Sequence, residues 1–222
     1  MPFQLLCIDL DGTLVDSHDD IREALVVALA AIPGAVPEFD QRALGAAGLG
    51  LPLEKFFALA RPDLVGDAAT VTRFIDAYRA HYHAHLLDRT RPFPGVLETL
   101  ERIRPLRARG LRTAVATTKK TDTARKVIHG LGMDEYFDAV LGTDGIPHKP
   151  APDLLHLAAR TVDRAAADGL MIGDTHHDLL AGKAAGMKTC GVRYGVMGEA
   201  GLLPHAPDFM ISEFAELLAI VS

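Results

Sequence analysis

The stretch LCIDLDGTLVDS, at residues 6–17, places acidic residues directly after an apolar run. Asp9 ends the run, Asp11 follows two positions later, and Asp16 comes after a further apolar pair. Like charges this close together repel, and a purely structural role would gain nothing from burying them. The pattern therefore indicates a buried strand that delivers carboxylates to a functional site. We interpret Asp16 separately, as a structural acid in a turn or at a helix N-terminus.

Beyond residue 91, short apolar runs alternate with helical patterns, and the apolar run at residues 3–9 is predicted to belong to the same sheet. Strands are predicted over residues 3–9, 111–117, 139–143, 169–174, 188–192 and 209–211, and helices over 95–109, 121–131, 151–162, 176–186 and 213–221. Strands that alternate with helices are typical of an α/β fold with a doubly wound, Rossmann-like parallel sheet. Ligands bind to such sheets beyond the carboxyl ends of the strands.

Residues 18–87 have a different, all-helical pattern. Ser17 is a good N-cap residue, and apolar side chains recur at helical spacing from Ile21 to Ile32. Further helices are predicted over 38–47, 51–61 and 67–87. We therefore expect an α/β catalytic core domain formed by residues 1–17 and 88–222, with residues 18–87 inserted as an all-helical cap domain.

Composition limits the classes of partner. The chain has 222 residues and a formal net charge of −6, which argues against nucleic acid or an anionic membrane as the main partner. Its N-terminus lacks the layout of a signal peptide, and its longest apolar run, residues 24–32, is too short to cross a bilayer. Its two cysteines lie in apolar runs and imply no disulfide framework. We expect a cytoplasmic monomer or homodimer that acts on a small molecule.

Polar residues from distant parts of the chain should meet at one edge of the predicted sheet. Asp9, Thr117 and Asp174 each end a predicted strand, and Lys149 lies in a loop after another. The carboxylates of Asp9, Asp174 and Asp178 are the hard oxygen ligands that Mg²⁺ prefers. With the cation and Lys149 neutralising charge, one carboxylate could attack a phosphorus atom while a neighbouring one transfers the proton.

Four motifs in this order resemble the signature of the haloacid dehalogenase-like hydrolases. They are DLDGTLVDS at 9–17, AVATT ending in Thr117 and Thr118, HKPAPD at 148–153, and IGDTHHDLLAGKAAGM at 172–187. Within that superfamily, the DGTLVDS start, the helical insertion, PFPGV and KPAPD look most like the phosphoglycolate phosphatase group. One departure is Thr118, because many relatives have asparagine there, so a side-chain contribution at this position is in question.

The resemblance implies a role for each matching residue. Asp9 would be the nucleophile that becomes an aspartyl phosphate, and Asp11 the acid/base that serves the leaving group and then water. Thr117 and Lys149 would contact the phosphate, with Gly12, Thr13 and Thr118 as further substrate-binding residues. Mg²⁺ would be held by the Asp9 carboxylate, the Asp11 backbone carbonyl and Asp174, with Asp178 orienting a metal-bound water. Asp11 also favours phosphoryl transfer, because halide-displacing members of the superfamily lack an aspartate two residues after the nucleophile.

Substrate choice depends on the insertion. We expect a small phosphorylated metabolite, with 2-phosphoglycolate as the leading candidate, and Arg42 as the cap residue that would bind its carboxylate, although Arg42 is equally well read as an exposed helix residue. Alternatives are a sugar-phosphate mutase on the same scaffold and a phosphate-responsive binding protein without turnover.

Two further groups of basic residues have structural interpretations. Lys119 and Lys120 are expected to be exposed at a helix start, and His81 and His85 to lie on a solvated helix rather than in a zinc site. For His176 and His177, placement on a helix surface and a contact near the metal remain open alternatives.

Overall fold

The computed structural model describes residues 3–34 and 51–222. It divides into two compact units, one formed by Met1–Asp16 and Arg91–Ser222 and the other by Ser17–Thr90.

The first unit contains a parallel sheet of six strands. These are β1 (Leu5–Ile8), β4 (Arg112–Ala116), β5 (Ala139–Leu141), β6 (Gly169–Gly173), β7 (Lys188–Val192) and β8 (Phe209–Ile211). Their order across the sheet is β5-β4-β1-β6-β7-β8, and every neighbouring pair is parallel. The chain thus winds outwards from β1 in both directions, which confirms the doubly wound α/β fold. A separate antiparallel ribbon pairs β2 (Val15–Asp16) with β3 (Arg91–Pro92).

Helices connect the strands and cover the sheet, because the central strands β1 and β6 are apolar and buried on both faces. They are α4 (Val96–Ile103), α5 (Thr121–Gly130), α6 (Asp153–Thr161), α7 (His176–Ala184), α8 (Gly198–Leu202) and α9 (Leu217–Val221). Helices α6 and α7 contribute to one core cluster with the strands, which includes Leu155 of α6 and Cys7, Ala114, Ala116 and Met171 of the strands. The alanines let these helices pack close to the strands, which fixes the sheet edge where the site lies.

The second unit contains three described helices, α1 (His18–Ala30), α2 (Leu53–Ala60) and α3 (Ala68–Ala84). Its core includes a ring cluster in which Phe74 lies 5.9 Å from Phe56 and 5.0 Å from Phe57, between ring centroids. Asp67 caps α3 by accepting hydrogen bonds from the backbone and hydroxyl of Thr70. The predicted helix over 38–47 lies outside the described residues.

A buried carboxylate joins the two ends of this second unit. Asp20, in the first turn of α1, accepts hydrogen bonds from the Thr90 amide at 2.8 Å, the Thr90 hydroxyl at 2.7 Å and the Arg89 amide. Charge-assisted bonds of this kind compensate the desolvation of the carboxylate, so the first and last turns of the unit are tied together.

Several predicted elements end earlier than expected. The helix predicted over 95–109 becomes 3₁₀ over Arg104–Arg109, because Pro105 cannot donate the backbone bond that an α-helix needs there. The last predicted helix is divided between a 3₁₀ turn, Phe214–Glu216, and α9.

Among the helices in the described ranges, none is both long and apolar enough to cross a membrane.

Candidate active site

Three adjacent strands deliver the central residues of the site. Asp9 follows β1, Thr117 follows β4 and Asp174 follows β6, and β1 lies between the other two strands. The strand order reverses at β1, because β4 and β5 lie on one side of it and β6, β7 and β8 on the other. Sheets of this kind bind ligands in the crevice at the carboxyl ends of the strands, next to this reversal. All three side chains are buried. The sheet order therefore explains why residues far apart in sequence lie together.

Lys149 binds three groups at the centre of the site. Its ammonium group donates to Asp9 Oδ1 at 2.7 Å, to Asp178 Oδ1 at 2.5 Å and to the backbone carbonyl of Ala116 at 2.9 Å. Its side chain is only 2% exposed, so all three ammonium donors are used inside the protein. Lys149 thus orients Asp9 and partly neutralises the carboxylates.

Asp178 is fixed by the start of helix α7. Its second oxygen, Oδ2, accepts hydrogen bonds from the amide and the hydroxyl of Thr175, at 3.0 and 2.6 Å, which forms a capping box. The close approach depends on Gly173, because a β-carbon there would lie 2.3 Å from the Asp178 side chain. Both Asp178 oxygens are therefore engaged by protein groups.

Asp174 is held from two directions. Thr13 donates its hydroxyl to Oδ1 at 3.3 Å, and the Val196 amide donates to Oδ2 at 2.8 Å. Gly12 lies against the same carboxylate, where a β-carbon would come within 2.2 Å of Oδ2, and its φ of +83° is in the left-handed region. Glycine is thus required at position 12 for both space and conformation.

The turn that follows Asp9 closes on its own backbone. The Gly12 amide donates to the Val15 carbonyl at 2.9 Å, and the Leu14 and Val15 amides donate to the Leu10 carbonyl. The Thr13 amide makes a longer bond of 3.4 Å to the same Leu10 carbonyl. Phosphate binding by the amides of Gly12 and Thr13 stays a prediction, because the observed bonds of these amides close the turn.

Burial and crowding of like charges shift the pKa values of the cluster. Burial raises the pKa of Asp9 well above its usual range; Lys149 opposes this shift, and the charges of Asp178 and Asp174 add to it. Burial, with the charge of Asp178, raises the pKa of Asp174 to about 7. Burial alone would lower the pKa of Lys149, but Asp178 and Asp9 hold it above its ordinary value.

The donor set fits a divalent cation. One carboxylate oxygen from each of Asp9, Asp174 and Asp178 lies within 4.8 Å of the others, and in the described part of the chain no other group of three acidic, histidine or cysteine residues is this compact. Three carboxylates against one lysine leave a deficit of positive charge in a buried place. Because the ligands are all oxygens, the set suits Mg²⁺ better than a softer metal.

Lys119 differs from its expected exposed position. Its side chain is 9% exposed, and its ammonium group lies 3.1 Å from Asp11 Oδ2, whereas Lys120 is exposed and pairs with Asp144 at 3.7 Å. The backbone bends back at this point, since the Lys119 amide donates to the Thr117 hydroxyl. Lys119 is therefore a residue of the site that the sequence interpretation missed, and Thr118 beside it is half-buried.

The remaining predicted residues have other positions. Arg42 lies outside the described residues. Asp16 is exposed in β2, opposite Arg91 of β3, as suits a structural acid. The rings of His81 and His85 stack at 4.4 Å between centroids, with Glu23 and Asp88 as the respective acidic neighbours. His176 contacts the Met197 sulfur and is followed by His177, whose ring lies 4.0 Å away.

Comparison with known proteins decides the family. The family model of the haloacid dehalogenase-like hydrolases matches residues 6–192. The chain belongs to this family. The resemblance of its four motifs is thus confirmed, and the chain is an enzyme, a hydrolase of the phosphatase group.

Over nearly its whole length, this hydrolase is similar to proteins named as phosphatases. "Probable phosphatase IndB" of Dickeya dadantii is 38% identical, covering 96% of this chain and 91% of that one. "Pyrophosphatase PpaX" of Halalkalibacterium halodurans is 31% identical, covering 100% and 98%. The crystal structure of "a predicted phosphoglycolate phosphatase" from Haemophilus somnus is similar with a TM-score of 0.87 at 26% identity, covering 100% and 99%.

Proposed function

We propose that this hydrolase is a Mg²⁺-dependent phosphatase that cleaves a small phosphomonoester through an aspartyl phosphate on Asp9. The observation that carries the proposal is the position of the Asp9 carboxylate, which lies at the carboxyl end of β1, bound by Lys149 and grouped with Asp174 and Asp178. The ion would be held by Asp9, Asp174 and the backbone carbonyl of Asp11, with Asp178 supporting it. When bound, Mg²⁺ would neutralise charge on the phosphoryl oxygens.

The chain's own residues account for the two halves of the reaction. An Asp9 oxygen attacks phosphorus, the bond from phosphorus to the ester oxygen breaks, and Asp11 gives its proton to the leaving alcohol. Asp11 then takes a proton from water as the water oxygen attacks phosphorus, which releases phosphate and restores Asp9. Lys149 and Thr117 would bind the phosphoryl oxygens, and Lys149 keeps Asp9 oriented throughout.

The leading substrate is 2-phosphoglycolate, because the motifs resemble those of the phosphoglycolate phosphatase group and the fold is similar to that of the predicted phosphoglycolate phosphatase from Haemophilus somnus. Inorganic pyrophosphate, a phosphoanhydride in which Asp11 would protonate a leaving phosphate instead of an alcohol, is the second candidate, because several pyrophosphatases named PpaX are 30–32% identical over the whole chain. Both substrates present a second anionic group next to the phosphoryl group, and Arg42 is the proposed contact for it.

The test is phosphate release from a panel containing 2-phosphoglycolate, pyrophosphate, sugar phosphates and nucleoside monophosphates, with Mg²⁺ and with excess chelator. Asp9→Asn should abolish release, and Asp11→Asn should reduce it strongly. Asp16→Asn is the matched control, because this exposed acid of the same segment should leave kcat/KM unchanged.

The outcomes separate the alternatives. A kcat/KM for one of the two named substrates well above the rest supports the proposal. Turnover by Asp9→Asn would overturn the assignment of Asp9 as the nucleophile. Undiminished phosphate release in excess chelator would overturn the requirement for Mg²⁺. Isomerisation of a sugar phosphate without net phosphate release would indicate the mutase, and binding of phosphate esters without any turnover would indicate a regulatory protein.

A further inference from the structure

A loop that none of the four motifs includes touches the candidate metal ligand. Residues Tyr194, Gly195 and Val196 follow strand β7 at its carboxyl end, beside β6, which delivers Asp174. Two of these residues act through a backbone amide or the absence of a side chain, so the sequence carries little sign of their role. Their contacts are nevertheless specific.

The loop and the turn after β1 enclose Asp174 in a ring of hydrogen bonds. Val196 donates its amide to Asp174 Oδ2 at 2.8 Å, and Thr13 donates its hydroxyl to Oδ1 at 3.3 Å. Tyr194 completes the ring by donating its hydroxyl to the Thr13 carbonyl at 2.8 Å. Because Tyr194 and Val196 are two residues apart, one short loop fixes both sides of the carboxylate.

Packing leaves this loop little freedom. The Tyr194 ring lies 4.7 Å from the ring of Phe93, between centroids. At Gly195 a β-carbon would come within 2.1 Å of the Asp174 β-carbon and 2.6 Å of the Gly12 carbonyl oxygen. Only glycine lets the loop approach closely enough for the Val196 amide to reach Asp174.

We propose that Tyr194 and Gly195 are positioning residues that set the orientation of the Asp174 carboxylate for a divalent cation. The proposal rests on the proposed function, because it takes Asp174 as a metal ligand. Each carboxylate oxygen accepts one protein hydrogen bond and keeps further lone-pair capacity, whose direction the ring fixes. Outer partners of a metal ligand of this kind control affinity as well as geometry.

The experiment measures Mg²⁺ binding directly, by calorimetric titration of the protein without substrate, and in parallel by the rise in melting temperature with Mg²⁺. Tyr194→Phe removes one hydroxyl and keeps the ring contact with Phe93. We expect it to weaken Mg²⁺ affinity about three- to tenfold, and Gly195→Ala to weaken it about tenfold or more. The KM for substrate at saturating Mg²⁺ should change less than the Mg²⁺ concentration that gives half-maximal rate.

The matched control is Tyr136→Phe. Tyr136 loses a hydroxyl that bonds to Glu101, away from the aspartate cluster, shortly before strand β5 begins. This variant should lose some thermal stability in chelator but bind Mg²⁺ like the wild type. It therefore separates an effect on the metal ligand from a general loss of stability.

Each outcome is decisive. If Tyr194→Phe binds Mg²⁺ as tightly as the wild type and Tyr136→Phe do, the positioning role is wrong while the proposed function stands. If the wild type gives no Mg²⁺ titration at all, the metal site of the proposed function is wrong and this proposal falls with it. If Gly195→Ala does not fold, Tyr194→Phe alone decides.

Discussion

The Lys149 ammonium group lies 2.7 Å from Asp9 Oδ1 and is almost completely buried with it. An exposed ion pair of the same length, Lys188 with Asp208, also measures 2.7 Å, but the Lys188 side chain is 61% exposed. Equal distances thus occur in very different dielectric surroundings. The buried pair should matter far more, because removing one partner leaves an uncompensated charge inside the protein.

Lys149→Met should lower kcat about 100- to 1,000-fold, since it removes the cation beside the nucleophile. In chelator it should also lower the free energy of unfolding by about 3–5 kcal/mol, because Asp9 and Asp178 lose their shared partner. Steady-state kinetics and urea unfolding measure the two effects. Lys188→Met, the exposed counterpart, should change the free energy of unfolding by less than about 1 kcal/mol. Similar losses in both variants would contradict the role of Lys149 as the shared buried partner of Asp9 and Asp178.

Gly12→Ala should impair metal binding and stability together. A β-carbon at Gly12 would overlap Asp174 Oδ2, and the left-handed backbone adds a conformational cost. Gly186→Ala isolates that second cost, because Gly186 has a φ of +75° with open space around it. Gly186→Ala should lower the free energy of unfolding by about 1 kcal/mol, and Gly12→Ala should lower it by about 1–3 kcal/mol more, as measured by urea unfolding. Equal costs, with unchanged Mg²⁺ dependence of the rate, would refute the steric argument.

Mg²⁺ binding should strengthen as pH rises towards neutrality. The pKa of Asp174 is raised to about 7 in the metal-free protein, so the carboxyl is protonated below that value and must release its proton to bind the ion. By the same shift, its contribution to the stability of the metal-free protein is present below about pH 4 and is lost as pH rises through about 7.

The stabilising effect of Mg²⁺, measured as the difference in melting temperature between Mg²⁺ and chelator, should therefore be smaller near pH 6 than near pH 8, because Asp174 and Asp9, whose pKa is also raised, must lose their protons to bind the ion. Asp174→Asn has no such proton to release and should abolish both the effect and its pH dependence. A Mg²⁺ effect in the wild type that is constant over this range would argue against an ionising ligand with a raised pKa.

Lys119→Met should lower kcat/KM about tenfold, because Lys119 restrains the Asp11 side chain at 3.1 Å and Asp11 must be placed accurately to transfer a proton. Lys120→Met is a close control, since it removes the adjacent lysine, which forms an exposed ion pair with Asp144. It should change kcat/KM less than twofold, because exposed ion pairs contribute little energy. If the two variants behave alike, the lysines act only as a general positive charge.

The sequence predicted the sheet well because its strands are short, mainly apolar runs that alternate with helical patterns. The runs over 188–192 and 209–211 match β7 and β8. The meeting of Asp9, Thr117 and Asp174 also followed from sequence, because each residue ends a strand and parallel strands share a carboxyl edge. Pro105, inside the predicted helix over 95–109, was a readable stop signal that apolar spacing obscured.

Other features of the site could not be predicted. The exposure of Lys119 depends on how the chain bends after β4, which the spacing of residues does not encode. The contacts of Val196 and Gly195 with Asp174 use an amide and a missing side chain, so no residue type announces them. Sequence patterns thus identified the carboxylates and Lys149, while the burial of Lys119 and the uncharged groups that orient Asp174 depend on the fold.

The antiparallel ribbon of β2 and β3 has a consequence for how this chain could have been assembled. Asp16 and Arg91 are paired across it, so the core leaves off and resumes at points about one strand spacing apart. At its own ends, the inserted segment is fastened by Asp20 and Thr90. A gap that narrow can be closed by a tight turn, so the core constrains the two ends, but not the length, of the 74-residue inserted module Ser17–Thr90. Recombination could exchange it for another module while the sheet and its aspartates stay in register.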